Sequence, residues 1–183
     1  DAALRSITLA PAQVLGIDCL PSIDDVPDGE ADLVFICTPA STNVELLRAC
    51  ARKGVRAAFV ASAGYGEAGE EGRAAEAELV RVAEECGILL AGPNGQGVVS
   101  PPAKLCAQIV APNPPRGHIG VASQSGNFVS SFENFALHSG IGISRAVSAG
   151  NSAAVTVPDY LDFYADDPET KVGLAYGGTN SHL

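Results

Sequence analysis

The chain has 183 residues, 46% of them hydrophobic and 17% charged, with no tryptophan or methionine, which suits one large or two small compact α/β domains with real cores. Its net charge of −10, from 11 basic and 21 acidic residues, opposes a phosphate-rich polymer, so nucleic acid is not an expected partner. No apolar run approaches the ~20 residues of a membrane span, and the first residues lack the basic start and apolar stretch of a signal peptide; the expectation is a cytoplasmic protein with no membrane partner.

In chain order, residues 1 to 32 hold one short apolar piece, "LRSITLAP", and an irregular "QVLGIDCLPSIDDVPDG". An α/β nucleotide-binding unit normally opens with a strand and a tight glycine turn, so its first strand and helix are expected to be missing here. "ADLVFICTPA" has the length and β-branched content of a buried strand. "STNVELLRACARKG" follows as a helix with Ser41 or Thr42 as cap, Val44, Leu46, Leu47 and Ala51 on its apolar side, and Gly54 as its stop. "VRAAFVASAG" is the next strand. "EAGEEGRAAEAELVRVAEECG" is a helix that buries Leu79, Val80, Val82 and Ala83 and stops at Gly87, and "ILLAGPNGQGVVS" is a strand running into a glycine-rich loop. This alternation predicts a parallel sheet with right-handed crossovers.

From Pro101 to Gly117 the chain carries five prolines, Pro101, Pro102, Pro112, Pro114 and Pro115, and is expected to be a linker holding at most one short strand in "LCAQIV". The alternation then restarts near His118. "HIGVAS" is a strand, "NFVSSFENFALHSG" a helix, "IGISRAVSAG" a strand, "AVTVPDYLDFYADD" a helix broken near Pro158, and "TKVGLAY" a last strand. The five cysteines, Cys19, Cys37, Cys50, Cys86 and Cys106, are odd in number and irregularly spaced, which argues against a zinc site or a disulfide framework; Cys37, inside "LVFICT", reads as a small buried hydrophobe.

Three strand ends share one chemistry. "CTPAS", "SAGYGE" and "GPNGQG" fall at the carboxyl edge of the expected parallel sheet, where open α/β sheets bind ligands. Their small residues and glycines admit a close approach to the backbone, and Ser62, Asn94 and Gln96 offer neutral hydrogen bonds, a combination suited to a nucleotide-like ligand. Any one of these loops alone would be an ordinary turn. A fourth segment, "SQSGN", places Ser123, Gln124, Ser125, Gly126 and Asn127 at a helix start, where unpaired amides and the helix dipole favour an anion; the alternative is a plain helix cap. "VSAGNSAAV" gives a further turn after a strand, with Gly150, Asn151 and Ser152.

"DLVFICTPA", "ASAGYGEAGEEG", "GILLAGPNGQGVVSP", "GVASQSGNF", "GIGISRAVSAGNSAAV" and "DYLDFYADDPET", in this order, resemble the nucleoside-diphosphate-forming acyl-CoA synthetases, relatives of the succinyl-CoA synthetase α subunit, from about Val14 to Thr170. The resemblance implies a Rossmann-like CoA-binding domain over residues 1–100 without its first strand and helix, a proline-rich linker over 101–117, and an incomplete flavodoxin-like, parallel-sheet ligase domain over 118–183. It implies coenzyme A or acyl-CoA at Thr38, Pro39, Ala40, Ser62, Ala63, Gly64, Pro93, Asn94, Gly95 and Gln96. It implies docking of a phosphorylated histidine at Ser123, Gln124, Ser125, Gly126 and Asn127, and an acyl and phosphate pocket at Gly150 and Asn151. ATP or ADP, with Mg2+, would be held by an ATP-grasp domain or β subunit outside this chain, within an oligomer.

His118, His138 and His182 do not stand in the glycine-flanked loop that carries the family's phosphorylated histidine, so no catalytic residue and no metal ligand is assigned. The implied function is the CoA-binding portion of an ADP-forming acyl-CoA synthetase, an acid–thiol ligase working through acyl phosphate and phosphohistidine, this chain alone being inactive. A second reading is a non-catalytic domain that senses CoA or acyl-CoA, as in regulatory regions of protein acetyltransferases. A dinucleotide-binding domain is disfavoured because no Gly-x-Gly-x-x-Gly opens a strand–helix turn.

Overall fold

The computed structural model describes residues 20–109 and 113–177. "LRSITLAP", Cys19 and His182 lie outside the described residues, and of the irregular segment that follows only the part from Leu20 onward is described, where Ser22 caps a short turn at Ile23–Asp25.

The first unit is a three-stranded parallel sheet in the order β1-β2-β3, formed by Leu33–Ile36, Ala57–Val60 and Leu89–Ala91. Two helices make the crossovers. Helix α1, Ala40–Arg52, starts directly after Pro39 with no side-chain cap, so neither Ser41 nor Thr42 caps it; the Thr42 hydroxyl instead donates back to the Pro39 carbonyl at 2.8 Å. Asn43, Leu47 and Cys50 share its buried face, with Val44, Leu46 and Ala51 packed at the margin. Helix α2, Glu70–Glu85, buries Leu79, Val82 and Ala83 as expected and leaves Val80 half-buried. Gly54 and Gly87, both at positive φ (82° and 66°), follow the two helices as left-handed stops.

The second unit is a five-stranded sheet in the order β5-β4-β7-β6-β8, made of Leu105–Gln108, Gly97–Ser100, Ile143–Ser148, Arg116–Ser123 and Val172–Tyr176. It is mixed, not wholly parallel: β6 pairs in parallel with β7 and β8, whereas β4 runs antiparallel to both β5 and β7. The expected linker therefore begins as structure. "GVVS" and "LCAQ" form a hairpin that belongs to the second sheet, and Pro101 and Pro102 sit in the tight turn between its strands, where a missing amide costs the ladder nothing. The second sheet thus takes in two strands, β4 and β5, that precede His118.

Helix α3, Gly126–Ser139, and helix α4, Val157–Asp166, lie against this sheet. Pro158 does not break α4 but stands in its first turn, where Asp159 accepts from the Thr156 amide at 2.7 Å and from its hydroxyl at 2.6 Å. One core fills the space between the first sheet and its helices. A second joins Phe59 of β2, stacked on Phe35 at 5.2 Å, to Ala122, Val147, Ala149, Val157 and Tyr164, so the two sheets share apolar surface. A third, around Val99, Val121, Val129, Ala136, Ile143 and Ala146, seats α3 on β6 and β7.

Cys37 is exposed, contrary to the buried role expected for it, because it lies just past the end of β1. Among the described residues no helix is long and apolar enough to cross a membrane, and no cluster of His, Cys, Asp and Glu could hold a metal ion.

Candidate functional site

At the carboxyl edge of the first sheet a polar chain replaces the apolar core. Asn43 is fully buried on α1 and donates to the Ser62 hydroxyl and to the Tyr65 hydroxyl, both at 2.8 Å, while its carbonyl accepts from Thr38 at 2.7 Å. A buried amide left without such partners would cost about 1–3 kcal/mol, and here both of its ends are used. This network fixes the ends of β1 and β2 and brings Thr38 and Ser62 together. Ala63 and Gly64 are exposed, and Gly64, at φ 101°, faces Ala40 across the start of α1. The expected CoA residues on the first two strand ends therefore form one surface.

The third strand end does more than expected. After β3, residues 92–96 cross from the first sheet to the second. The Asn94 amide N–H bonds the Ser62 carbonyl at 3.0 Å, and Asn94 holds a left-handed φ of 60°. A side chain at Gly95 would collide with the Ser148 carbonyl and the Phe59 ring, so glycine is required there. Gln96 turns away from Asn94: its backbone amide bonds the Ser148 hydroxyl at 3.0 Å, and its side-chain carbonyl accepts from Ser130 on α3 at 2.7 Å. Gln96, grouped by sequence with the CoA edge, thus packs on the start of α3.

The "SQSGN" turn sits at the end of β6. Ser123 is fully buried, and its hydroxyl accepts the Ser125 amide at 2.9 Å, a bond that shapes the turn. Ser125 is the N-cap of α3 and accepts from the Phe128 amide at 3.3 Å. Among the described residues nothing pairs with the amides of Gly126 and Asn127, at the positive end of a 14-residue helix. Gln124 is tied to β8 through its amide and the Tyr176 carbonyl at 3.0 Å, and the Tyr176 ring stacks on Phe128 at 5.2 Å.

Gly150 and Asn151 follow β7, and Gly150, at φ 58°, lies against the backbone of Pro93 and Asn94 too closely for a side chain. The Asn151 amide N–H bonds the Pro93 carbonyl at 2.9 Å, and its side-chain carbonyl accepts from Asn94 at 3.2 Å. Its side-chain nitrogen donates to Glu67 and to Glu76, each at 2.6 Å. Burial opposes ionisation of Glu67, but bonds from Asn151 and from the amides of Gly64 and Tyr65 hold its carboxyl below the usual range.

Asn43, Tyr65, Glu67, Glu76, Ser130 and Ser148 were not singled out from the sequence. Asn43 alone leaves a signal there, as a polar residue on the buried i, i+4, i+7 face of α1. His118 and His138 both bond backbone carbonyls, of Glu169 at 2.9 Å and Asn134 at 2.7 Å.

Two features lie apart from this edge. A cavity of about 630 Å³ opens between β3, β4, β7 and α4, lined mainly by apolar residues including Leu90, Val98, Val147 and Tyr160, and none of the expected site residues borders it. On α3, Glu133 is fully buried between Val129 and Ala136. Burial pushes its pKa up to about 7, and a hydrogen bond from the Gln108 side chain acts in the opposite direction.

Residues 5–101 match the CoA binding domain family, and residues 116–179 match the succinyl-CoA ligase like flavodoxin domain family. Over 164 residues the chain is 38% identical to an acetate–CoA ligase [ADP-forming] I of Archaeoglobus fulgidus, covering 90% of this chain and 24% of the relative. Over 155 residues it is 37% identical to the acetate–CoA ligase [ADP-forming] I subunit alpha of Pyrococcus furiosus, covering 85% of this chain and 33% of that subunit. The solved dinucleotide forming acetyl-coenzyme A synthetase 1 of Ca. Korarchaeum cryptofilum, in complex with phosphate and ADP, superposes with a TM-score of 0.85 at 33% identity, over 93% of this chain and 36% of that one. The chain spans about a quarter to a third of the curated relatives it matches.

Proposed function

Because the chain belongs to the CoA binding domain family and continues into a succinyl-CoA ligase-like flavodoxin domain, the pairing of the NDP-forming acyl-CoA synthetases, we propose that it is the CoA-binding portion of an ADP-forming acyl-CoA synthetase. Such an enzyme joins a carboxylic acid to the CoA thiol at the expense of ATP. The observation that carries this reading is the convergence of both parallel sets of strand ends on residues 92–96: Ser62 and Asn94 from the first sheet, Ser148 and Asn151 from the second, and Gln96 against α3.

In this reading the surface of Thr38, Pro39, Ala40, Ser62, Ala63, Gly64, Pro93 and Asn94 holds CoA by neutral hydrogen bonds and close backbone approach. Coenzyme A supplies the acceptor thiol when bound. The Gly126 and Asn127 amides take an anionic phosphoryl group presented by a histidine that is not in this chain, supplied by a longer chain or a partner subunit, and the α3 dipole favours that anion by a few tenths to about 2 kcal/mol. The turn at Gly150 and Asn151 closes the space between the two, where the acyl group would lie. Nucleotide and Mg2+ belong to an ATP-grasp domain or β subunit, within a cytoplasmic oligomer. The relatives reported above are named as ligases or synthetases, which gives the CoA-sensing reading no support.

Isothermal titration of the full-length protein with CoA tests the site. Crystals grown in sulfate test the anion position and should hold an anion within hydrogen-bonding distance of the Gly126 and Asn127 amides. Absence of CoA binding, or CoA binding without acyl-CoA synthesis by the complete protein, would overturn the ligase reading.

A further inference from the structure

We propose that Glu67 and Glu76 are positioning residues that act through Asn151 to set the direction in which the Asn94 amide faces the CoA site; the proposal rests on the CoA reading above.

The geometry leaves the Asn151 amide one orientation. Two carboxylate oxygens, Glu67 Oε2 and Glu76 Oε2, each lie 2.6 Å from its nitrogen. Rotating the amide by 180° would set its carbonyl oxygen against both acids, three acceptors with no donor among them, so the carboxylates fix which end points toward Asn94. That end is the carbonyl, and it takes an N–H from the Asn94 side chain at 3.2 Å. Asn94 is thereby turned so that its own carbonyl and its second N–H point away from Asn151. Its backbone cannot adjust freely, being held in the left-handed region and bonded to Ser62. The chain of command runs from two acids of the first unit, through a turn of the second, and back to a first-unit residue at the ligand edge.

The two acids are not equivalent, and the difference supplies the test. Glu76 uses one oxygen, Oε2, for both the Gly66 amide, at 3.2 Å, and Asn151. Glu67 uses both of its oxygens: Oε1 accepts the Gly64 and Tyr65 amides, at 2.6 and 3.1 Å, and Oε2 accepts Asn151. A glutamine, with a single carbonyl oxygen, reproduces the first pattern and cannot reproduce the second.

In the full-length protein, Glu76→Ala and Glu67→Gln are expected to raise the KM and Kd for CoA about tenfold while kcat at saturating CoA stays within about twofold, and Glu76→Gln is expected to match the native protein. Native CoA affinity in Glu76→Ala would overturn the proposal. So would equal losses in Glu76→Gln and Glu67→Gln, since negative charge and not the direction of the bonds would then be what matters. The CoA reading itself is judged separately by Asn94→Asp: if that change leaves affinity untouched, the site is misplaced and the positioning role falls with it. If Asn94→Asp weakens CoA and Glu76→Ala does not, only the positioning role is lost.

Discussion

At pH 8 the Glu133→Gln variant is expected to be more stable than the native sequence. Glu133 is fully buried on α3 among apolar neighbours, and its pKa rises from 4.5 to about 7 because desolvation, which penalises the charged form, outweighs a hydrogen bond from the Gln108 side chain. The folded pKa lies above the unfolded one, so between those two values the folded state binds more proton than the unfolded. Stability is therefore full below pH 4.5, falls as pH rises from 4.5 to about 7, and is level above that. At about 1.4 kcal/mol per unit, the whole shift corresponds to roughly 3 kcal/mol lost by pH 8, an upper figure because water reaching the ionised group lessens it. Glutamine keeps the shape and removes the titration. Urea unfolding of native and Glu133→Gln protein at intervals from pH 4 to pH 8 reads the difference directly; other titrating groups contribute equally to both and cancel. The two proteins should converge near pH 4 and separate by about 2–3 kcal/mol at pH 8. Parallel curves across that range would refute the reasoning, because Glu133 would then have a charge partner or solvent when ionised.

Asn94→Asp places a carboxylate beside the Asn151 carbonyl and near Glu67 and Glu76, and should weaken CoA binding by about tenfold or more in a calorimetric titration. Gly126→Ala drives a methyl into the Gln96 amide, which must leave Ser130; the expected cost is about 1–3 kcal/mol in a thermal or chemical melt. Asn43→Ala strips partners from Thr38, Ser62 and the buried Tyr65 hydroxyl together, and should destabilise by about 2–3 kcal/mol while loosening the CoA edge, visible as faster hydrogen exchange at residues 61–65.

Helices α1 and α2 and the parallel strands between them were legible because their apolar spacing is regular and their stops are glycines at positive φ. The strand-end loops were legible because small and polar residues cluster where a parallel sheet exposes its carboxyl edge. The β4–β5 hairpin was not: β4 finds its second partner, β7, far along the chain, and prolines that mark a tight turn look in sequence like those of a linker. Cys37 was misread for a related reason, since an apolar run does not reveal where the strand stops. Asn43 and Glu133 break apolar faces, and only three-dimensional neighbours tell the amide held in a polar network from the desolvated acid. The carboxylates around Asn151 depend on how the two units meet, which no local pattern encodes.

The strand order of the second sheet also bears on how the chain acquires its shape. The three described strands of the first sheet have all been synthesised by Ala91, and each neighbouring pair is joined by one helix, a local arrangement that can form early. The second sheet cannot close in that way. Strands β4 and β6 are both made before β7, yet β7 lies between them, with Val99 paired to Ala146 on one side and Val121 to Ala146 on the other. Until residues 143–148 arrive, both edges stand open with unpaired amides and carbonyls, the state in which foreign strands are captured. During translation this interval lasts while α3 is made, so slow synthesis across residues 126–142 should increase aggregation more than an equal pause before Ala91.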